Sequence, residues 1–590
     1  MLQLRAHNYV LETVPFWRAL VGTRRLSDST AVYMRWIGGA WGTAITALFI
    51  GMALRGGIPR SPTPSDWQIY AQITLLIIVA VGGTLVWRFE ALGASMITAG
   101  AIGLGVLAAV EHHPWRAFGV ALAFYLPGLL FWLDWQRTRS ARAVVMLAAV
   151  MVLLLTAGGV AAGRVYDLYF GPVQPESVVA ARPVDKVEWI WAGAVTSDSA
   201  TIKARLVPQA GAIRLALSTR SDLSEAGFIP PTDESEVAST GVATFQVLDL
   251  HPESQYWYAV EVDGVLDRSR TGRLSTFADG AFSFTVAFGS CAKEGSNGRV
   301  FDTIRQSDPD LFISTGDFFY SDIDVNDPAR YWTAYGRTLS APAQAELYRN
   351  VPVAYIWNDH DFGPNNSDST SPGRESAQLV YRAAVPHYPL AAGDGAQPIY
   401  QAFTVGRVRF ILTDLQSYRT PSDQPDDVTK TMLGAEQKAW LKQELLVANG
   451  RFAAIVWVST DPWIVKAGSG AKGWGSYATE RREIADFIAE NQISGMMMLG
   501  GDAHMLAIDD GTNSDFSITG GASFPVFHAG ALDRRGSLKG GPYSEGAYPG
   551  GGQFGLMTIT DNGGTTIEIV WSGRDWRNDE IVAYRFTIAT

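Results

Sequence analysis

The sequence predicts a multi-domain chain of apolar N-terminal helices, a small β-sandwich and an α/β layered domain, in that order. Three observations lead there. Five long apolar stretches lie within residues 36–163, short strand-like runs separated by turn signals fill 187–277, and apolar strand runs alternate with helix-length segments over 281–590. A length of 590 residues also exceeds one ordinary domain.

The apolar stretches are Trp36 to Leu54, Trp67 to Trp87, Ala91 to Val110, Trp115 to Leu133 and Ala143 to Ala162. Each approaches the roughly 20 residues that a bilayer-crossing helix requires, with almost no charge inside and with Trp or Tyr near several ends. They are expected to form a five-helix transmembrane region, although Gly-rich windows such as 91–110 also suit helices buried in protein. Orientation follows from arginine placement. Arg5, Arg18, Arg24, Arg25, Arg35, Arg88, Arg137, Arg139 and Arg142 fall on one side, against Arg55, Arg60, Arg116 and Arg164 on the other. Positive residues tend to stay inside, so segment 1–35 is expected in the cytoplasm and everything after about residue 163 outside it. Met1 to Met34 has no long apolar core, so the first span is expected to serve as an uncleaved anchor. The expected localisation is therefore an integral membrane protein, partnered with the lipid bilayer through five helices, with the chain after about residue 163 extracytoplasmic. No acid or base pair lies inside the spans to suggest transport.

Residues 164–186, rich in Pro and Val, read as a linker. The runs Glu188 to Trp191, Ala200 to Arg205, Ile213 to Leu217, Ala243 to Leu248 and Tyr256 to Val262 then read as the short strands of the sandwich over 187–277. Within it, Leu250-His-Pro-Glu-Ser-Gln-Tyr256-Trp-Tyr258 resembles the Leu-x-Pro-x-x-x-Tyr-x-Tyr run of fibronectin type III-like domains. That resemblance makes Tyr256 and Tyr258 packing residues and His251 an exposed turn residue. The net charge of −11 disfavours nucleic-acid binding through a cationic surface. It does not exclude phosphate substrates, because bound cations supply their own local field.

In 281–590 the strand candidates are Phe282 to Phe288, Leu311 to Thr315, Val353 to Trp357, Arg407 to Thr413, Phe452 to Val458 and Gly495 to Leu499, with Gly555 to Ile559, Thr566 to Trp571 and Ala583 to Ile588 at the end. Helices are expected over Asn297 to Gln306, Glu375 to Ala384, Ala435 to Ala448 and Thr479 to Asn491, and a Gly-rich loop over Gly536 to Gly552. Ligands of open α/β sheets lie beyond the carboxyl ends of strands. Cys291, Asp317, Asp359 and Asp502 all stand at such ends.

Cys291 is the only cysteine, which excludes a disulfide within the chain and multi-cysteine structural zinc. By itself it is either buried filler or a ligand or nucleophile. Gly316 permits close backbone approach before Asp317, whose two oxygens suit bridging of two cations. Tyr320 is either a wall aromatic or a phenolate on a strong Lewis acid. Asn358-Asp-His-Asp361 packs two carboxylates, an amide and an imidazole into one loop, a density expected of a working site rather than of buried structure. His360 suits proton donation to a leaving oxygen or contact with a phosphoryl oxygen. Asp502 and His504, spaced two apart, point to one side of an extended backbone and form a workable chelate.

Taken in order, Gly289-Ser-Cys291, Gly316-Asp-Phe-Phe-Tyr320, Trp357-Asn-Asp-His-Asp-Phe-Gly-Pro-Asn-Asn366 and Gly501-Asp-Ala-His504 resemble the alkaline phosphatase D family of metallophosphoesterases over about residues 187–590. The resemblance implies two sheets flanked by helices, a centre of Fe3+ with Ca2+, and hydrolysis of phosphate mono- or diesters by attack of metal-bound hydroxide. It makes Cys291, Asp317, Tyr320, Asp359, Asp502 and His504 metal ligands, Asp317 the bridging carboxylate, His360 a phosphate-contacting catalytic residue and Asn365 a calcium or substrate contact. Asn358 stands where many members carry Asp. No His lies near Val458-Ser-Thr-Asp461, where Asp461 is a candidate substitute. Two alternatives remain open at this stage: a phospholipase D-like diesterase acting on membrane lipid, and a catalytically impaired membrane protein that binds phospho-ligands.

Overall fold

A computed structural model describes residues 66–86, 89–111, 128, 174–207, 211–468 and 473–590. Residues 1–165 and 166–590 form two compact units.

In the first unit, helices α1 (Asp66–Leu85) and α2 (Glu90–Glu111) stand at the second and third apolar stretches. They pack on each other through small residues. A Cβ on Gly93 would lie 2.4 Å from the Val86 nitrogen, and one on Gly82 would lie 2.9 Å from the Gly93 carbonyl oxygen. Val79, Val86, Ala94 and Ile97 are buried. No helix among the described residues is long and apolar enough to cross a membrane. This corrects the expectation of an integral membrane protein with an extracytoplasmic domain and a bilayer partner. Apolar composition in α1 and α2 serves a close glycine-lined helix contact, a demand that a hydropathy pattern alone does not distinguish from lipid exposure. Segment 1–35 and the stretches 36–54, 115–133 and 143–162 lie outside the described residues, Gly128 excepted.

The described part of the second unit starts with a strap. Arg299 donates its N–H to the Pro175 carbonyl at 3.0 Å, Ser177 to Asn297 at 2.7 Å, and Val300 to Gln174 Oε1 at 2.8 Å, so residues 174–177 of the expected linker run along the α/β part. Strands β1 (Val187–Gly193), β2 (Ala200–Leu206), β3 (Ile213–Ser218), β4 (Gly227–Ile229), β5 (Val242–Val247), β6 (Gln255–Val262), β7 (Val265–Leu266) and β8 (Gly272–Ser275) follow, with the short helix α3 (Glu234–Thr240) between β4 and β5. Tyr256 and Tyr258 are buried, their hydroxyls engaged by the His251 N–H and the Arg349 carbonyl respectively, while His251 is exposed. β3, β4, β6, β7 and β8 form one sheet. β1, β2 and β5 do not close a separate one: β1 pairs in parallel with a strand of the α/β region through Gly193 and Val353.

That α/β region contains two facing sheets. The first joins β9 (Phe284–Gly289), β10 (Leu311–Thr315), β11 (Val353–Ile356), β19 (Gln553–Thr560), β20 (Thr566–Asp575) and β21 (Glu580–Ala589) to the sandwich strands in the order β21-β20-β19-β9-β10-β11-β1-β2-β5. The second has β12 (Gln401–Val405), β13 (Val408–Leu412), β14 (Ala454–Val458), β15 (Met496–Gly500), β16 (Met505–Asp509), β17 (Val526–His528) and β18 (Ala547–Pro549), ordered β12-β13-β14-β15-β17-β16-β18. β9, β10 and β11 are mutually parallel, as are β13, β14 and β15, and their uninterrupted apolar runs fit strands covered on both faces. Between the sheets, Phe288 meets Phe527 edge-on at 4.9 Å and Phe284 meets Phe410 at 6.3 Å.

Helices cover the outer faces. α4 (Arg299–Gln306), α5 (Pro328–Ser340) and α6 (Pro342–Asn350) bring Phe301, Tyr331 and Tyr348 to the core of the first sheet. The short α7 (Asp359–Phe362) and the longer α8 (Arg374–Ala384) follow β11. On the second sheet, Leu441 and Leu445 of α9 (Gly434–Ala448) and Ile484 and Ile488 of α10 (Ala478–Glu490) cover Ile455, Trp457 and Met498. The resulting helix–sheet–sheet–helix layering agrees with the expected architecture.

The sheets converge where β10 and β15 end. A Cβ on Gly501 would lie 2.2 Å from the Thr315 carbonyl oxygen and 2.9 Å from Ser290 Cβ, so only glycine allows this approach. Gly501→Ala must push backbone apart and is expected to lower stability by about 1–3 kcal/mol, measured by thermal or denaturant unfolding. Unchanged stability would show that the sheets close less tightly than described.

Candidate metal centre

Most of the proposed site residues lie just beyond the ends of parallel strands. Cys291, Asp317 and Asp359 follow β9, β10 and β11 in the first sheet, whereas Asp461 follows β14 and Asp502 and His504 follow β15 in the second. Four of them hold left-handed backbone: φ is 66° at Cys291, 53° at Asp317, 55° at Asp502 and 53° at His504. For residues with a Cβ this costs on the order of 1–3 kcal/mol each, and such strain gathers at functional sites. Gly316, at φ 94°, lets the turn before Asp317 pass Asn358, whose Cβ would be 2.5 Å from a Cβ there. The turns are locked by backbone hydrogen bonds, from the N–H of Cys291 to Gly316 O at 3.2 Å and from that of Ala292 to Asp317 O at 2.9 Å.

The turns aim four kinds of donor atom at one point. Cys291 Sγ lies 3.4 Å from Asp317 Oδ2, Tyr320 Oη lies 2.8 Å from the same oxygen, and His504 Nε2 lies 3.0 Å from Tyr320 Oη. His504 Nδ1 faces the Arg535 carbonyl at 2.8 Å and must donate there, which leaves Nε2 as an acceptor. Tyr320 thus has one proton for two acceptors. Cys291, Asp317 and His504 form one group able to hold a metal, with ligand atoms within 4.8 Å of one another. Asp317, Asp359 and His360 form a second. Asp317 belongs to both.

The charge-dense loop is deeply buried, contrary to expectation. It forms α7, with Asn358, Asp359, Asp361 and Phe362 all buried. Asp361 is structural: its carboxylate accepts from the N–H of Phe318 at 2.9 Å, the N–H of Asn358 at 2.7 Å and the hydroxyl of Tyr355 at 2.5 Å. Asn358 Oδ1 accepts from Gln416 Nε2 at 2.6 Å and Thr460 Oγ1 at 3.1 Å, which ties the two sheets together. Asp359 Oδ2 accepts from the N–H of Asn366 at 2.5 Å. Asn365, the expected contact, is exposed and makes no hydrogen bond among the described residues.

Other residues that carry no motif complete the surroundings. Asp322 Oδ1 sits 2.6 Å from His360 Nδ1, and the Arg534 guanidinium stacks 4.1 Å over the Tyr320 ring. Lys539 Nζ donates to Asp502 at Oδ1 and at the carbonyl oxygen, while Arg419 pairs with Asp461 at 2.8 Å. Asp502 enters neither donor group, and Asp461 is bound to Arg419. Only the loop composition of 533–540, with Arg534, Arg535 and Lys539 near a Gly-rich segment, offered a sequence signal for these cations.

Electrostatics favour a cation here. Burial pushes the Cys291 thiol well up, and the Asp317 and Asp502 carboxylates push it further. Burial likewise raises Tyr320 and Asp317, the first reinforced by Asp317 and the second by Asp359. His504 falls to about 3 through burial and the Lys539 charge, so its imidazole is neutral. A thiol, a phenol and a carboxyl that resist ionisation, set against an unprotonated imidazole nitrogen, form a donor set that positive metal charge would stabilise as anionic ligands. The residues therefore fit a metal centre.

The chain is similar to several known proteins. The family model for PhoD-like phosphatases matches residues 284–541. Alkaline phosphatase D of Bacillus subtilis (strain 168) is 24% identical over 311 residues, 43% of this chain and 52% of that protein. The chain thus spans about half the length of this curated relative. A solved structure of PhoD superposes with a TM-score of 0.54 at 17% identity, over 68% of this chain and 92% of the other. Purple acid phosphatase PPD1 of yellow lupin (Lupinus luteus) gives a TM-score of 0.47 at 13% identity, over 70% and 75% of the two chains. Over residues 284–541, then, the chain is similar to PhoD-like phosphatases.

Proposed function

We propose that the chain is a metal-dependent phosphoesterase that hydrolyses phosphate mono- or diesters at the centre around Asp317. The observation that carries this reading is the pair of donor groups meeting on one buried carboxylate. Cys291, Tyr320 and His504 offer sulfur, phenolate oxygen and imidazole, a set suited to Fe3+, and Asp317 with Asp359 offers the oxygen ligands that suit Ca2+. When bound, such a metal pair polarises phosphoryl oxygens and acidifies a water nucleophile. Residues 187–277 are read as a fibronectin type III-like unit ahead of the catalytic unit, 281–590.

His360 is assigned to the phosphate. Its backbone N–H donates to Asp317 Oδ1 at 3.3 Å and its Nδ1 faces Asp322, which fixes the ring and leaves Nε2 for a phosphoryl or leaving oxygen. Burial lowers its pKa, but the carboxylates of Asp359, Asp317 and Asp322 outweigh burial and lift it to about 9.

Elemental analysis of the purified protein should find iron and calcium, and a ferric–phenolate bond should give a visible absorption band that Tyr320→Phe shifts or removes. A colourless, iron-free and fully active protein would rule the iron out. Asp317→Asn should lower turnover of a phosphomonoester or a simple diester by at least about a hundredfold, and parent-like turnover in that variant would end the metal-centre reading.

His360 carries its proton below a pKa of about 9 and loses it above, so turnover that uses the imidazolium should decline as pH rises through that value. Cations bound at Asp317 and Asp359 oppose the raising charges and move the decline to lower pH. Asp322→Asn removes one raising carboxylate and should shift the alkaline limb down by about one unit. A limb that does not move would take the proton away from His360.

A further inference from the structure

We infer that Lys539 takes the place of a metal cation at Asp502, so that the acids of the first sheet hold metal while those of the second are neutralised by the chain's own cations. The inference rests on the metal-centre reading proposed above and specifies which acids serve it.

Asp502 has the position of a ligand and already carries a cation of the chain. It is buried at the end of β15 in left-handed backbone, two residues before His504, yet it joins neither donor group. Lys539 Nζ donates to its Oδ1 at 2.8 Å and to its carbonyl oxygen at 2.6 Å, gripping two oxygens of one residue. The lysine side chain is 17% exposed. Its loop is fastened to the same turn: Ser537 donates its N–H to His504 O at 2.9 Å and its hydroxyl to Ala503 O at 3.0 Å, and the Tyr543 hydroxyl donates to Lys539 O at 3.0 Å.

The pattern repeats one strand away. Asp461, at the end of β14, pairs with Arg419 at 2.8 Å, both side chains being less than a tenth exposed. Arg419 is held in turn by the Tyr477 hydroxyl at 3.0 Å. Two neighbouring strand-end acids of the second sheet thus each carry a protein cation, Arg419 buried and Lys539 half-buried. Asp317 and Asp359, at strand ends of the first sheet, enter the donor groups instead. An ammonium costs a site one unit of charge and no coordination shell, so the centre needs one ion fewer than a site in which Asp502 is a ligand.

The test is the metal count per chain after equilibrium dialysis against calcium, with iron measured in the same samples. Lys539→Met should gain one calcium per chain or bind calcium at least tenfold more tightly, while Lys539→Arg, which keeps the charge, should match the parent. An unchanged count and affinity in Lys539→Met, or a loss of metal, would overturn the inference. Asp502→Asn keeps the test open if Lys539→Met does not fold: its metal count should equal the parent's, and a drop of one ion would also overturn it. A parent that holds no metal and hydrolyses no phosphoester would sink the metal-centre reading and this inference together. A metal-loaded, active parent whose variants fail these expectations would sink the inference alone.

Discussion

The rest of the site depends on a single arrangement: a buried carboxylate, Asp317, surrounded by other groups that accept protons or carry negative charge. Asp359, Asp361 and Asp502 all raise its pKa through their charge, and Cys291, Tyr320 and His504 crowd its edge. Such a cluster opposes folding, because each desolvated acceptor must find positive charge or a donated proton. The chain answers with His360 beside Asp359 and Asp317, Lys539 on Asp502 and Arg419 on Asp461.

Holding these groups together requires backbone that few side chains tolerate. Cys291, Asp317, Asp502 and His504 all adopt left-handed φ at strand ends, and Gly316 and Gly501 are needed where one turn passes another at less than van der Waals distance from any Cβ. The cost of these turns is offset by the apolar layer between the sheets and by bonds such as those from Gln416 and Thr460 to Asn358, which tie one sheet's loop to the other's. Asn358 therefore earns its place by bridging sheets. A carboxylate there would add another negative charge to an already acidic cluster.

Much of this was legible in the sequence because strand patterning is local. The apolar runs before Cys291, Asp317, Asp359 and Asp502 each form a strand, and three of these four residues, Cys291, Asp317 and Asp359, enter the donor groups. Legibility failed where a contact between distant segments decides. Composition did not separate a glycine-lined contact between α1 and α2 from a pair of bilayer spans. The helices at 328–350 and the strands at 505–509 and 526–528 escaped notice because their apolar patterns are short or irregular. A dense run of charge at 358–361 suggested exposure, whereas three hydrogen bonds to Asp361 make burial tolerable.

By itself the sequence determined the candidates for the centre, since Cys291, Asp317, Tyr320, His360 and His504 stand out by type and by position in or just after a strand-end motif. Only the tertiary structure decided how their charge is balanced. Lys539, Arg419, Asp322 and Arg534 reach the centre from loops far from its motifs, and it is the meeting of the two sheets that assigns Asp317 and Asp359 to the donor groups and Asp502 to Lys539. The physical reason is range. Strand and turn propensities act between neighbours in sequence, whereas the field felt by a buried carboxylate is set by whatever charge the fold brings within a few ångströms of it.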